Sequence, residues 1–367
     1  MSLAFSIRGL EMGILAPVTG AFVDRLGPRK LVFLGTLITG SALIILSLTN
    51  SLLIFYGAFV LLAVGASCCT STVLMTAVAH WFRKNVGKAM GLVACGFGAG
   101  GILVPLIVWL IDVYHWRMAF VVLGLGMWTL GIPLSFVIRH RPEQYGYSPD
   151  GEIPGELNSS PGDGCAEEGV YFREAIGNQD FWKISVAEAI RISVTMAVVT
   201  HVLPYLTNIG MSRGSAALVA TAIPLLSIVG RFSFGWLGDV FEKRYVAAVG
   251  YGLFSMGTLA FSWVHVPWFI LPFLALFPLA FGGTVALRGA ILREYFGRTA
   301  FGRLMGIMLG LGAMGGFIGP TAAGWTFDNL GRYQPVWLVF GGTSVLATAL
   351  ALRLRAPVRV TQGQESA

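Results

Sequence analysis

Long apolar segments separated by short polar gaps fill almost the whole chain. A helix needs about 20 mainly apolar residues to cross the bilayer core, whereas the strands of a membrane barrel are about half as long and alternate in polarity. The pattern therefore predicts an all-α membrane protein and excludes a barrel. Eleven segments are long enough, near residues 3–23, 31–48, 53–79, 86–111, 118–138, 182–206, 214–237, 245–263, 268–290, 301–327 and 334–352.

The composition supports the same class. Of the 367 residues, 55% are hydrophobic and 12% are charged, which is half the share of about 25% that soluble domains carry. A soluble enzyme, a disordered scaffold and a nucleic-acid binder are disfavoured, the last because the basic residues are split among several loops. The four cysteines show no metal-ligand spacing, and no nucleophile or phosphate-binding loop is visible, so we expect neither an enzyme nor a cofactor.

One polar segment divides the chain. Nine of the 18 acidic residues lie between Glu143 and Asp180, in a stretch rich in Gly, Pro and Ser. Such a stretch cannot bury enough apolar surface to order itself. We therefore expect an N-terminal half at 1–138, a linker at 139–180 that ends in a short helix around Val170–Gln179, and a C-terminal half at 181–367.

The two halves share a repeat with a fixed offset. The loops GAFVDRLGPRK and GWLGDVFEKRY align when 215 is added to each position, and the repeat predicts two parallel six-helix halves. The first span of the second half would then match a segment preceding Met1, so we expect a twelve-helix architecture that lacks its first helix, as if truncated. The matched pairs are Gly20/Gly235, Asp24/Asp239, Arg29/Arg244, Gly87/Gly302, Gly91/Gly306, Gly101/Gly316 and Pro105/Pro320.

Basic residues predict the orientation. Alternate gaps between spans, together with the C-terminal tail, hold 18 Lys and Arg, while the opposite gaps hold only Arg117, Arg213 and Arg332. Because cytoplasmic loops carry the excess of Lys and Arg, we expect the linker and the C-terminus to be cytoplasmic. The expected location is the inner or plasma membrane.

The doubled loop and the layout of two six-helix halves with a cytoplasmic linker resemble the major facilitator superfamily over the whole chain. The resemblance implies a transporter that works by alternating access of its halves. It also implies a gating role for Asp24, Arg25 and Arg29, and for Asp239 in the second copy, where Val240 stands at the position of Arg25. The alternative is that these residues hold the loops in one arrangement throughout.

Charged residues within the predicted spans are costly in a bilayer and mark candidate functional sites. Arg231 lies eight residues before Asp239, about 12 Å along the helix, and its repeat counterpart is the apolar Ala16. The pattern Arg231-x-Ser233-x-Gly235-x-x-x-Asp239 resembles the monocarboxylate transporters and oxalate–formate exchangers, which implies that Arg231 binds a substrate carboxylate. The charged residues within spans are Arg8, Glu11, Glu188, Arg191, Arg231 and Arg288.

Further candidates follow from their positions. Ser227 stands where many monocarboxylate carriers have an aspartate, which leaves the proton-coupling partner open. A structural role remains open for each of the other residues. Glu188 can pair with Arg191 and Arg8 with Glu11. Arg288 can turn inward towards the cytoplasmic surface, and His201 can be a packing residue. The candidates for substrate binding are Arg231, Arg191, Ser227 and Tyr205, and those for proton coupling are Glu188, His201 and Glu11.

Together these features favour a secondary active transporter of a small organic anion, a mono- or dicarboxylate, with proton coupling open. The alternatives are a carrier or exporter of a neutral or cationic solute, and a membrane receptor or fragment without transport activity. The expected partners are the lipid bilayer and a small-molecule substrate, with no nucleic acid, and the expected state is a monomer.

Overall fold

The computed structural model describes residues 15–100, 104–147, 149–151 and 170–355, and all regular structure in these ranges is helical. Nine helical segments within them are long and apolar enough to cross a membrane, which confirms an all-α membrane protein. The helices are α1 (15–26), α2 (Pro28–Ser47), α3 (Leu52–Ser67), α4 (Ser71–Trp81), α5 (Val86–Ala99), α6 (Val104–Gly126), α7 (Ile132–Val137), α8 (Phe172–Gly177), α9 (Gln179–Asn208), α10 (Arg213–Val240), α11 (Lys243–Ser262), α12 (Ile270–Phe296), α13 (Phe301–Leu330) and α14 (Gln334–Leu352).

Most predicted spans correspond to one helix, and three differ. The segment 53–79 was expected to be one helix, but it is broken into α3 and α4 by the three residues Cys68–Thr70. α6 changes direction at His115, which has a positive φ of 64°, so its two parts belong to the predicted spans 86–111 and 118–138. The short helix expected near the end of the linker is present as α8.

Glycines bring helices of the two halves into backbone contact. A Cβ on Gly20 of α1 would overlap the carbonyl oxygen of Gly302 on α13, and a Cβ on Gly87 of α5 would overlap that of Gly235 on α10. These two contacts are related by the offset of 215 in both residues. The halves are therefore joined by two equivalent seams, α1 with α13 and α5 with α10, because small residues let helix backbones approach closely in a membrane.

The buried core of the second half holds one aromatic cluster towards the end of α9. Tyr205 packs edge-on against Phe261 with ring centroids 5.0 Å apart, and Trp337 packs against the same Phe261 at 4.9 Å. Tyr333 lies 5.5 Å from Tyr205. Edge-to-face pairs of this kind stabilise a core beyond the area that they bury.

Candidate functional site

A cluster of buried charges joins α9 and α12 inside the bundle. The Arg191 guanidinium donates to both carboxylate oxygens of Glu188, from Nε to Oε2 at 2.7 Å and from Nη2 to Oε1 at 2.6 Å. Arg288 donates from Nη1 to the same Oε1 at 2.9 Å. Glu188 is fully buried. The open alternative of a Glu188–Arg191 pair is thus the arrangement found, and the expected inward turn of Arg288 is wrong, since Arg288 turns to Glu188.

Arg231 lies beside this cluster on α10. Its Nη1 donates to the carbonyl oxygen of Ala94 on α5 at 2.6 Å. The guanidinium carbons of Arg191 and Arg231 each lie 5.8 Å from the ring centroid of Phe281 on α12, so they are at most twice that distance apart. The guanidinium groups of Arg191 and Arg231 therefore both lie against the Phe281 ring, and the ring stabilises their positive charges.

Two of these arginines reach from the second half to the first. Arg231 contacts Ala94 of α5, and Arg288 donates from Nη2 to Ser71 Oγ of α4 at 3.1 Å. Among the described residues, the Nε atoms of both Arg231 and Arg288 are buried without a hydrogen-bond partner. Both contacts cross between the halves.

The cluster carries more positive than negative charge. Within the part of the chain that the structure describes, three guanidinium groups, which stay protonated in proteins, lie with the single carboxylate of Glu188. Unpaired charge inside a membrane is expensive, and an anion placed beside the arginines would reduce that cost. The predicted charges Arg8 and Glu11 lie outside the described residues.

The other candidates do not meet this cluster. Ser227 is buried and its hydroxyl donates within α10, to the carbonyl oxygen of Pro224 at 2.7 Å. Tyr205 lies 14 residues beyond Arg191 on the same helix, about 21 Å away, in the aromatic cluster. His201 bonds through one ring nitrogen to Tyr333 Oη (3.3 Å) and through the other to the Pro320 carbonyl (3.1 Å), which is a packing arrangement.

Asp24 and Asp239 form a reciprocal clamp between the halves. The Asp24 carboxylate accepts hydrogen bonds from the backbone N–H groups of Gly302 (2.9 Å) and Arg303 (3.0 Å), at the start of α13. The Asp239 carboxylate accepts from those of Gly87 (2.7 Å) and Lys88 (2.8 Å), at the start of α5. Each carboxylate thus caps the positive end of a helix in the other half. We call this end of the bundle the clamp end.

The two arginines of the first loop take different positions. Arg25 is exposed, while the Arg29 guanidinium carbon lies 4.9 Å from the ring centroid of Phe136 on α7, in the same half. The contact of Arg29 therefore orders the first half. The clamp between halves consists of the two aspartates.

The start of the linker lies across the clamp end. Asp150 accepts hydrogen bonds from the backbone N–H groups of Arg83 (3.1 Å) and Lys84 (2.9 Å) in the α4–α5 loop. Glu143 pairs with Arg298 in the α12–α13 loop. Arg83 and Arg298 are related by the offset of 215, so the linker contacts equivalent loops of both halves.

His140 packs the linker onto the loop that follows α1. Gly27 has a φ of 82°, and a Cβ there would lie 2.9 Å from the His140 ring. Burial, with a contribution from the positive charge of Arg141, lowers the pKa of His140 below its ordinary value. The ring is therefore neutral near pH 7 and packs without a buried charge.

Sequence reasoning did not identify Ser71, Ala94 or Phe281 as part of the site. Ala94 contributes a backbone carbonyl, which carries no residue signature, and Phe281 is one of 25 phenylalanines in the chain. Ser71 follows the small polar run Cys68–Thr70 at the helix break. That run is the one signal that could have indicated it.

A bundle of membrane-spanning helices with buried charges at its centre and a clamp between repeat-related loops defines a multi-pass membrane transporter. A family model described as "Major Facilitator Superfamily" matches residues 1–207 and again residues 189–367. The chain belongs to this superfamily.

Curated relatives and solved structures agree with that assignment. Monocarboxylate transporter 12-B of Danio rerio is 25% identical over 95% of this chain and 77% of its own length. The oxalate:formate antiporter of Oxalobacter formigenes is 23% identical over 95% of this chain and 80% of its own. The crystal structure of the E. coli fucose:proton symporter FucP superimposes with a TM-score of 0.72 at 15% identity, over 95% of this chain and 89% of that one. The chain therefore resembles the branch of monocarboxylate transporters and oxalate–formate exchangers.

Proposed function

We propose that this transporter moves a small organic anion, a mono- or dicarboxylate, by alternating access of its two halves. The observation that carries the proposal is the buried cluster, which among the described residues holds three arginines and one glutamate. A guanidinium presents a planar fork that matches a carboxylate, and a buried excess of guanidinium groups favours an anion over a neutral or cationic solute.

Arg231 is the proposed contact for the substrate carboxylate. Its Nη1 is held by a backbone carbonyl (Ala94, 2.6 Å) and its Nε is unsatisfied in the described structure. A carbonyl carries only a partial negative charge, and hydrogen bonds between ions are roughly twice as strong as neutral ones. A carboxylate therefore competes well for this guanidinium, and its binding would remove one hydrogen bond between α10 and α5.

Glu188 is the proposed positioning residue for Arg191 and Arg288, and it remains the candidate for proton coupling. Its carboxylate lies between the two guanidinium groups and accepts hydrogen bonds from both. If the substrate draws Arg288 away, Glu188 loses one of these partners, and its carboxylate oxygen is left open to a proton. A proton that enters with the anion would then be carried at Glu188.

The clamp supplies the gate of this proposal. We assign the clamp end to the cytoplasmic side, where the sequence concentrates Lys and Arg, so the structure is the state in which that side is closed. Asp24 and Asp239 must release the starts of α13 and α5 before the substrate can leave there. The proposed setting is the inner or plasma membrane, with the linker and the C-terminus cytoplasmic and the protein monomeric.

Uptake into proteoliposomes tests the proposal. We expect internal oxalate or lactate to drive uptake of the same radiolabelled anion, whereas glucose and tetraethylammonium are not taken up. Arg231→Ala should reduce anion uptake at least a hundredfold, because a charged hydrogen bond contributes about 1.5–3 kcal/mol and a buried pair more. Arg231→Lys should keep the positive charge but lose the planar guanidinium fork that matches a carboxylate.

The matched control is Arg213→Ala, which removes an exposed arginine from the first turn of the same helix, α10. It should transport like the wild type. Uptake of glucose or tetraethylammonium with no response to either anion would overturn the proposal, as would normal anion uptake by Arg231→Ala.

A further inference from the structure

The break between α3 and α4 places a helix N-terminus inside a membrane span. α4 begins at Ser71, whereas the repeat-related helix α12 runs unbroken through the matching positions 283–285. Ser71 precedes Trp81, the last residue of α4, by ten residues, about 15 Å along the helix. That is half the thickness of a bilayer core of roughly 30 Å.

The start of α4 has no capping side chain. The first N–H groups of any helix lack an intrahelical acceptor and carry positive partial charge. Thr70 occupies the N-cap position, but within the described structure its side chain makes no capping bond. Its hydroxyl donates instead to the carbonyl oxygen of Ser67 at 2.9 Å. The Leu74 N–H donates to the Thr70 carbonyl oxygen at 3.3 Å, so the N–H groups of Ser71, Thr72 and Val73 are the ones that an acceptor from outside the helix could bind.

A cationic side chain lies against this positive helix end. Arg288 Nη2 donates to Ser71 Oγ at 3.1 Å, although helix N-termini favour anions and disfavour cations. Two more polar atoms lack partners among the described residues, Arg288 Nε and Thr72 Oγ1. Both residues are more than nine-tenths buried, at 8% and 1% exposure. The unsatisfied groups and the positive helix end beside Arg288, which shares the Glu188 carboxylate with Arg191, all favour an anion.

We propose that the N-terminus of α4 and Arg288 form an anion subsite that receives a carboxylate of the transported substrate. The inference rests on the proposed function and adds a binding element from the first half. The α4 N–H groups and Arg288 come from different halves, so an anion bound between them joins the halves at mid-membrane. Helix N-termini are established anion-binding elements, and broken helices supply them within membranes.

Ser71→Pro is the sharpest test when it is compared with Ser71→Ala, because both remove the hydroxyl that accepts from Arg288 and only the proline also removes the backbone N–H group. Ser71 is the first residue of α4, a position where proline is well tolerated since its missing N–H is free there anyway. Proline also requires an extended preceding residue, and Thr70 already has φ −74° and ψ 173°. The control is Leu52→Pro, the first residue of α3, which follows the extended Ser51 (φ −138°, ψ 153°).

Dissociation constants for oxalate and lactate are measured by isothermal titration calorimetry on the purified full-length chain. We expect Ser71→Pro to weaken binding about tenfold or more, as for a lost hydrogen bond to a charged group, while Leu52→Pro binds like the wild type. Ser71→Pro and Arg288→Gln should combine less than additively, because both changes act on one anion. Thr72→Val keeps the backbone and should weaken binding severalfold.

Each result decides the proposal. Wild-type affinity in Ser71→Pro overturns the subsite and leaves the proposed function standing. The same conclusion follows if Arg288→Gln weakens binding and Ser71→Pro does not. If Ser71→Pro does not fold, Thr72→Val decides, and wild-type affinity there overturns the subsite. A wild-type protein that binds neither anion overturns the proposed function and the subsite together.

Discussion

At the scale of single residues, one carboxylate holds two arginines in place. Glu188 accepts three hydrogen bonds, two from Arg191 on its own helix and one from Arg288 on α12. Removing one partner of a buried ion pair strongly destabilises the folded protein, because the remaining charge stays buried without compensation. The orientation of both guanidinium groups therefore depends on Glu188.

Glu188→Gln should lower the free energy of unfolding by about 3–5 kcal/mol, the cost of breaking a buried pair. The loss is measured as a fall in thermal stability in detergent. The double variant Glu188→Gln/Arg288→Gln removes one unpaired charge and should therefore recover part of the lost stability. The control Glu174→Gln, on α8 and exposed, should not change stability. No loss in Glu188→Gln would show that the arginines have other sufficient partners.

The sequence could predict the part of this cluster that lies on one helix. Glu188 and Arg191 are three residues apart, and side chains at that spacing are neighbours on a helix surface. Arg288 is 100 residues from Glu188, and nothing local relates them. Its proximity to Arg293 in the sequence suggested an inward turn, which the packing of α12 against α9 overrides.

At the scale of elements, the glycines of the two seams were matched in the sequence and the helix break was not visible there. Gly87 and Gly91 recur as Gly302 and Gly306 at the offset of 215, and in the structure a Cβ on Gly91 would lie 2.6 Å from the carbonyl oxygen of Arg231. The run Cys68–Thr70 has side chains that an apolar helix accommodates. Breaking the helix there depends on its neighbours, so the pattern predicted a continuous span.

Gly20→Ala should prevent the closed clamp end from forming, because the added Cβ would overlap the carbonyl oxygen of Gly302. We expect the two halves to separate at the clamp end, as a longer distance between spin labels on Lys30 of the first half and Val240 of the second half. The labelled chain carries replacements of the four native cysteines. The control is Gly57→Ala on α3, where a Cβ would have nothing within 4 Å. Unchanged distances in Gly20→Ala would show that the seam adapts without opening.

At the scale of the whole molecule, the repeat makes the clamp reciprocal. The offset of 215 relates Asp24 to Asp239 and Gly87 to Gly302. Each glycine is the second residue of its helix, and each aspartate caps the helix of the other half through that glycine's N–H group. The sequence predicted that these four residues are equivalent in pairs. It could not predict that the caps cross between halves, because the repeat relates positions and says nothing of contacts.

Reciprocity leads to a prediction about the two aspartates together. Each carboxylate uses both oxygens, one for each backbone N–H group, whereas an asparagine side chain has one acceptor oxygen. Asp24→Asn and Asp239→Asn should each weaken the closed clamp end by about 1 kcal/mol, the usual contribution of a helix cap. Each should raise the population with the clamp end open about fivefold. Because the caps lie on separate helix pairs, the double variant should show close to the product of the two effects.

The same spin labels on Lys30 and Val240 report the open population, and anion uptake reports turnover. Both single variants should fold and bind substrate but turn over more slowly, since the closed state through which each cycle returns is less favourable. Asp112→Asn, an exposed change on α6, should have no effect. Wild-type distances and rates in both single variants would mean that the aspartates hold the loops statically. If only one variant has an effect, the two caps have the same geometry but only one of them stabilises the closed clamp end.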